Sequence, residues 1–142
     1  MPDLNATITG GTLAGVAALH LAWGAGSTFP FDTPADLADA VVGTPAGVGP
    51  PPPAACAAVA VALLSGTGLV LGRPRLPRSL RRAGLVVMTA VLGARGVLGL
   101  TGATDLVSPG STSERFRRND RRIYSPLCLA LAAGSARALR SA

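Results

Sequence analysis

Residues Ala54–Gly102 read AACAAVAVALLSGTGLVLG (54–72), RPRLPRSLRR (73–82) and AGLVVMTAVLGARGVLGLTG (83–102). The first and third strings are apolar and close to the ~20 residues that cross a ~30 Å hydrocarbon core. The first has no charge and the third has only Arg95. Between them Arg73, Arg75, Arg78, Arg81 and Arg82 stand with no acid. Short loops rich in arginine stay on the cytoplasmic side of a membrane. The stretch therefore reads as two transmembrane helices joined by a cytoplasmic turn.

Two further apolar runs flank this pair. Ile8–Gly26 is uncharged and follows only Asp3, so it lacks the basic start of a cleaved signal peptide. Ile123–Ala136 is shorter and is followed by Arg137 and Arg140, which can snorkel to the interface. The expected fold is an all-α integral membrane four-helix bundle, one transmembrane domain over residues 1–142. Its spans fall at about 8–26, 54–72, 83–102 and 123–139. The arginine rule puts it in the cell membrane as a multi-pass protein with both termini cytoplasmic.

Composition agrees. Hydrophobic residues make up 49% of the chain and charged ones 14%, against about 25% charged in soluble domains. Mean hydropathy is +0.44. Aromatics are only 4%, so the apolar surface is Ala, Val, Leu and Gly, which pack closely in lipid. The net charge of +6 comes entirely from arginines, with no lysine. They cluster between apolar runs and not on a soluble face with stacking aromatics, which excludes nucleic acid as a partner. Cys56 and Cys128 form no CxxC pair and no metal-ligand spacing, and read as small buried hydrophobes. No P-loop, dinucleotide fingerprint or nucleophile elbow is present, so no cofactor or metal is expected.

The two outward loops carry local order. Thr33-Pro34-Ala35-Asp36 supplies an N-cap, a proline at N1 and an acid at N3, and Gly43 supplies a stop. A short interfacial helix over Pro34–Val42 follows. In the third loop Ser108-Pro109-Gly110 reads as a turn. Ser111 and Glu114 read as a capping box that opens a second short helix, and Ser125-Pro126 as the cap and start of the fourth span. This loop is unusual for an outward one, because it holds Arg115, Arg117, Arg118, Arg121 and Arg122. Pairing with Asp32, Asp36 and Asp39 of the first loop would account for them.

Candidate functional residues converge near the outer face. Helical spacing puts His20, Trp23 and Gly24 on one side of the first span. Arg95 lies about a turn and a half below the end of the third span, and Asp105 follows that span closely. Arg117, Asp120, Arg121 and Tyr124 form an i, i+3, i+4, i+7 stripe leading into the fourth. A charge at the depth of Arg95 costs a few kcal/mol unless paired, and Asp105 or Asp120 is the expected partner. As catalytic candidates the sequence offers His20, Asp105, Asp120 and Tyr124; as substrate-binding candidates, Trp23, Arg95 and Arg121. Each also has a structural reading: Trp23 and Tyr124 as interfacial aromatics, His20 bonded to a backbone carbonyl, Arg95 in an ion pair that stitches helices.

The strings His20-Leu21-Ala22-Trp23-Gly24, Gly26-Ser27-Thr28-Phe29-Pro30 and Arg118-Asn119-Asp120-Arg121-Arg122-Ile123-Tyr124-Ser125-Pro126-Leu127-Cys128 resemble a family of small actinobacterial membrane proteins catalogued as a domain of unknown function. The absence of lysine beside abundant Ala, Gly, Pro and Arg fits a GC-rich genome of that kind. Phe29 stands where that family more often has Trp. The resemblance implies a four-helix multi-pass protein and no established activity.

Three functions remain. The first is a non-catalytic membrane module or complex subunit, whose partners are membrane lipid and a membrane protein. The second is an enzyme acting on a hydrophobic small molecule dissolved in the lipid. There a desolvated Asp or His would be general acid and Trp23 and Tyr124 would face a developing cation, as in small terpene cyclases. The third, a transporter, ranks last because no span has a polar stripe along its length.

Overall fold

The structure is a computed structural model; it describes residues 3–44 and 49–142 and is all-helical, with no strand among them. Helix α1 (Leu4–Gly24) starts before the expected span because Asp3 N-caps it, accepting from the Ala6 amide at 2.6 Å. Helix α2 (Pro34–Leu37) runs on as a π-helical turn, Ala38–Val42, and stops at Gly43 with φ 75°. Helix α3 (Pro53–Leu71) ends at Gly72, φ 66°, and α4 (Arg78–Thr101) ends at Gly102, φ 83°. A short α5 (Thr104–Val107) precedes α6 (Glu114–Asn119), a second π turn (Asp120–Tyr124) and α7 (Ser125–Arg140).

Helices α1, α3 and α4 are long and apolar enough to cross a membrane. Helix α7 has 16 residues, about 24 Å at the helical rise, and starts at Ser125 and not at 123. The caps in the first loop are as expected: the Asp36 amide donates to Thr33 Oγ1 at 3.1 Å. Those of the third loop are not. Ser113, not Ser111, caps α6 by accepting from the Phe116 amide at 3.2 Å. Ser125 makes no cap, because the chain is already helical there.

The reason is Pro126. In an α-helix its ring would crowd the Arg122 carbonyl, four residues back, and it has no N–H to donate. The π turn widens the helix just before it, with the Ser125 amide reaching the Asp120 carbonyl.

Helix α1 packs along α3, and α4 along α7; the pairs join chiefly where α1 meets α7. Leu13, Val70, Leu85 and Leu131 form the centre of the core. The α3–α4 turn and the end of α7 share one end of the bundle. There Arg78 Nε and Arg82 Nη1 donate to the Ala142 carbonyl at 2.9 and 3.0 Å. Arg81 Nε donates to the Leu69 carbonyl at 2.9 Å, adding to the longer bond, 3.3 Å, that this end carbonyl of α3 receives from the Gly72 amide. The two longer connections meet at the opposite end.

Candidate functional site

At that opposite end, the π turn Ala38–Val42 leaves its last carbonyls without helical partners. The third loop supplies the donors. Tyr124 Oη donates to Ala40 O at 2.8 Å, and Asn119 Nδ2 to the same oxygen at 3.4 Å. Ser111 Oγ donates to Val42 O at 2.6 Å. The Thr112 and Ser113 amides both reach Gly43 O, at 3.0 and 3.2 Å. Gly43 is required here: its φ is positive, and a Cβ would meet the Phe116 ring at 2.8 Å. Ser113 Oγ also bonds Asp39 Oδ1.

The loops pair electrostatically as well. Arg115 Nη1 lies 3.3 Å from Asp36 Oδ1 and 3.6 Å from Asp39 Oδ2, with its guanidinium over the Phe31 ring. The Thr33 hydroxyl donates to Asp36 and, with Arg115, holds that carboxyl below its ordinary value. Of the expected first-loop acids, Asp36 and Asp39 thus meet a third-loop arginine. Arg117 instead faces Asp105, 3.5 Å away.

Beneath this cap lies the ion pair. Arg95 Nη2 donates to Asp120 Oδ1 at 2.6 Å, and Asp120 is 0% exposed. Ser125 Oγ donates to the same carboxylate at 3.1 Å and Thr104 Oγ1 to Oδ2 at 3.4 Å. The π turn brings Ser125 over Asp120, five residues apart, and swings Tyr124 away to Ala40. Gly99 makes the room: a Cβ there would collide with Ser125 Oγ and come within 2.7 Å of Arg95 Nη1 and Asp120 Oδ2. Arg95 Nη1 is buried with no hydrogen-bond partner among the described residues.

The expected convergence therefore divides in three. Arg95 and Asp120 meet; Asp105, with a side chain 71% exposed, does not join them. Tyr124 belongs to the cap. His20 and Trp23 form a separate pair, ring centroids 5.0 Å apart, beside an apolar cleft of about 180 Å³ that Cys56, Val59 and Ser108 also line. Trp23 Nε1 donates to Phe29 O at 2.7 Å. His20 Nδ1 lies 2.9 Å from Val16 O; a carbonyl only accepts, so Nδ1 bears the proton and Nε2 of the neutral ring is the basic nitrogen. Arg121 leans on Gly102 at the end of α4 and lines an arginine-rich recess with Glu114, Arg117, Arg118 and Arg122. Sequence reasoning missed Thr104, Ser113 and Gly99, and read Ser111 and Ser125 only as helix caps. The Ser108–Ser113 string was the available signal for the serines; helical spacing alone could not reveal a π turn.

Among the described residues no three His, Cys, Asp or Glu side chains come together as a metal site would need. Over its described residues the molecule is thus an all-helical protein with three membrane-length helices, a hydrogen-bonded cap and an ion pair on a buried aspartate. Residues 13–135 match the family described as protein of unknown function (DUF3995), and the chain belongs to that family. No curated protein and no solved structure matches it.

Proposed function

We propose that this chain is a non-catalytic module of the cell membrane, crossing four times with both termini cytoplasmic, and that its polar layer fixes how its helices meet. The observation that carries the reading is Asp120: wholly buried and held by Arg95, Ser125 and Thr104, it leaves no access for a substrate. In the cap, Ser111 and Tyr124 are bonded to backbone carbonyls, and Ser113 and Arg115 to the first-loop acids. For the fourth crossing, α6, the π turn and α7 form one helical run, Glu114–Arg140, about 40 Å long at the helical rise. Exposed Val61, Val86, Val87, Val91 and Val97 on α3 and α4 suit contact with lipid.

Complementation tests the role. In cells lacking the gene, an Arg95→Met/Asp120→Leu double variant should fold and restore whatever deletion removes. A folded double variant that fails to complement would assign Asp120 to chemistry. Reporter fusions at Ala142 and Gly49 test the topology: they should report opposite sides, and a shared side would overturn the four crossings.

A second reading rests on the His20 cleft. A lipid-dissolved substrate there would meet His20 Nε2 as a base beside the Trp23 ring, which departs from the acid-initiated scheme. Loss of function in a folded His20→Ala variant, with the double variant still active, would favour it.

A further inference from the structure

Helices α3 and α4, though joined by a short turn, touch only lightly. Between them runs an apolar groove of about 480 Å³, lined among others by Ala62, Leu63, Gly66, Gly84, Met88 and Val91. On α4, Arg81, Gly84, Met88 and Leu92 follow helical spacing, so Arg81 stands at the groove's foot on the groove's own face. On α3, Leu69 reaches across to Gly84, and the helix stops at Leu71, with Arg73 just past the Gly72 cap. Arg81 bonds the carbonyls of Leu69 and Val70, which places its charge between the groove and a second recess. That recess, about 730 Å³, is walled by Arg73, Arg75 and Arg81 together with Gly72, Asp3 and Ser141. Asp3, the one acid there, is engaged as the cap of α1.

Charge is distributed to match. Seven arginines (Arg73, Arg75, Arg78, Arg81, Arg82, Arg137 and Arg140) share this end of the bundle with Asp3 alone. At the other end six arginines, Arg95 included, face six acids. An apolar groove with a separate arginine-walled recess beside its foot, Arg81 standing between them, offers the two chemistries of one molecule: an acyl chain and a phosphate.

We infer that this is a binding site for an anionic glycerophospholipid, one acyl chain lying in the α3–α4 groove and the phosphate held by Arg73, Arg75 and Arg81. The inference rests on the membrane placement proposed above, in which this end faces the leaflet that carries anionic lipid. Arg75 and Arg73 are exposed and form the variable part of the site; Arg81 also supports α3 and is left intact in the test.

The experiment is thermal unfolding of the full chain in detergent micelles doped with phosphatidylglycerol or with phosphatidylcholine. At saturation phosphatidylglycerol should raise Tm over phosphatidylcholine by roughly 5 °C. Arg73→Gln/Arg75→Gln should abolish that difference while keeping the phosphatidylcholine Tm. Ala62→Phe, which fills the groove from an exposed wall position, should abolish it too; Ser65→Leu is a second groove-filling variant. Absence of the difference in the wild type overturns the site. So does its survival in the double arginine variant or in a folded groove variant, the latter meaning headgroup adsorption without a groove. Inorganic phosphate giving the same rise would also overturn it. Because micelles have no sides, a reversed topology in cells would sink the orientation and leave this result standing.

Discussion

Helix α4 meets two neighbours in opposite ways. Its contact with α7 is extensive, and its contact with α3 is slight and leaves a groove. Yet α3 is the most apolar of the membrane-length helices, with hydropathy 2.2, while α7 carries Ser125, Ser135, Arg137 and Arg140. In lipid, apolar surface alone does not drive helices together, because acyl chains serve as well. What closes the α4–α7 seam is small residues and polar bonds: Gly96 and Gly99 admit Leu129 and Ser125, and Arg95 reaches Asp120. The α3–α4 seam has glycines too, Gly66 and Gly84, but only Met88 and Leu69 to set against them.

The sharpest way to break this comparison is to remove one charge. Asp120→Asn leaves Arg95, three-quarters buried in the seam, without its acid, and should cost about 3 kcal/mol, the low end for a buried pair. Arg95→Met added to it should recover much of that loss, since no unpaired charge is then left in the seam. Thermal unfolding of the single and double variants in detergent reads both. Strictly additive losses would mean the ion pair does not hold the seam.

A methyl group separates the two seams next. Gly99→Ala should cost about 1–3 kcal/mol, because the colliding atoms belong to a fixed, bonded cluster. Gly84→Ala meets only the tip of Leu69, at 2.7 Å. That side chain can turn into the open groove, and alanine favours the helix by about 1 kcal/mol. A neutral or slightly positive change in Tm is expected; equal losses at both glycines would erase the distinction.

How much of this was legible beforehand differs by region. The apolar runs of α1, α3 and α4 are plain, since an uncharged or nearly uncharged run has few alternatives. The Pro34–Val42 helix was legible from Thr33, Pro34 and Gly43. Arg95 announced its need for an acid, though not that Asp120 and not Asp105 would supply it. Positions read at α-helical spacing failed wherever the π turn intervenes: Tyr124 is not above Asp120, and Ser125 is. Pro126 was the visible warning. The distance between His20 and the ion pair was not legible, because a helix face can be assigned from spacing but the neighbour it meets cannot.

Within the cap, single hydrogen bonds are the unit of effect. Tyr124→Phe removes the donor to Ala40 O and should cost on the order of 1 kcal/mol. Protection of the Pro34–Val42 amides from hydrogen exchange should fall with it. Unchanged protection would place the cap's stability in Ser111 and the Gly43 contacts instead.

The smallest effect expected is at the cap's surface, and its sign follows from Asp36. Its pKa is lowered in the fold, first by the Thr33 hydroxyl and then by Arg115. A depressed carboxyl stabilises the folded state when pH lies above its unfolded value, and loses that contribution as pH falls through the folded one. The unfolded reference is 3.8, so the contribution is complete near neutrality and fades below that value. Because the group is exposed, solvent screens it and the gain is slight. Asp36→Asn should therefore melt slightly below the wild type at pH 6, and the gap should narrow as the pH is lowered below 3.8. Raising salt at pH 6 should shrink the part due to Arg115 and leave the part due to the neutral Thr33 hydroxyl. A gap that does not narrow on acidification would mean that Asp36 acts through its shape and neighbours and not through its charge.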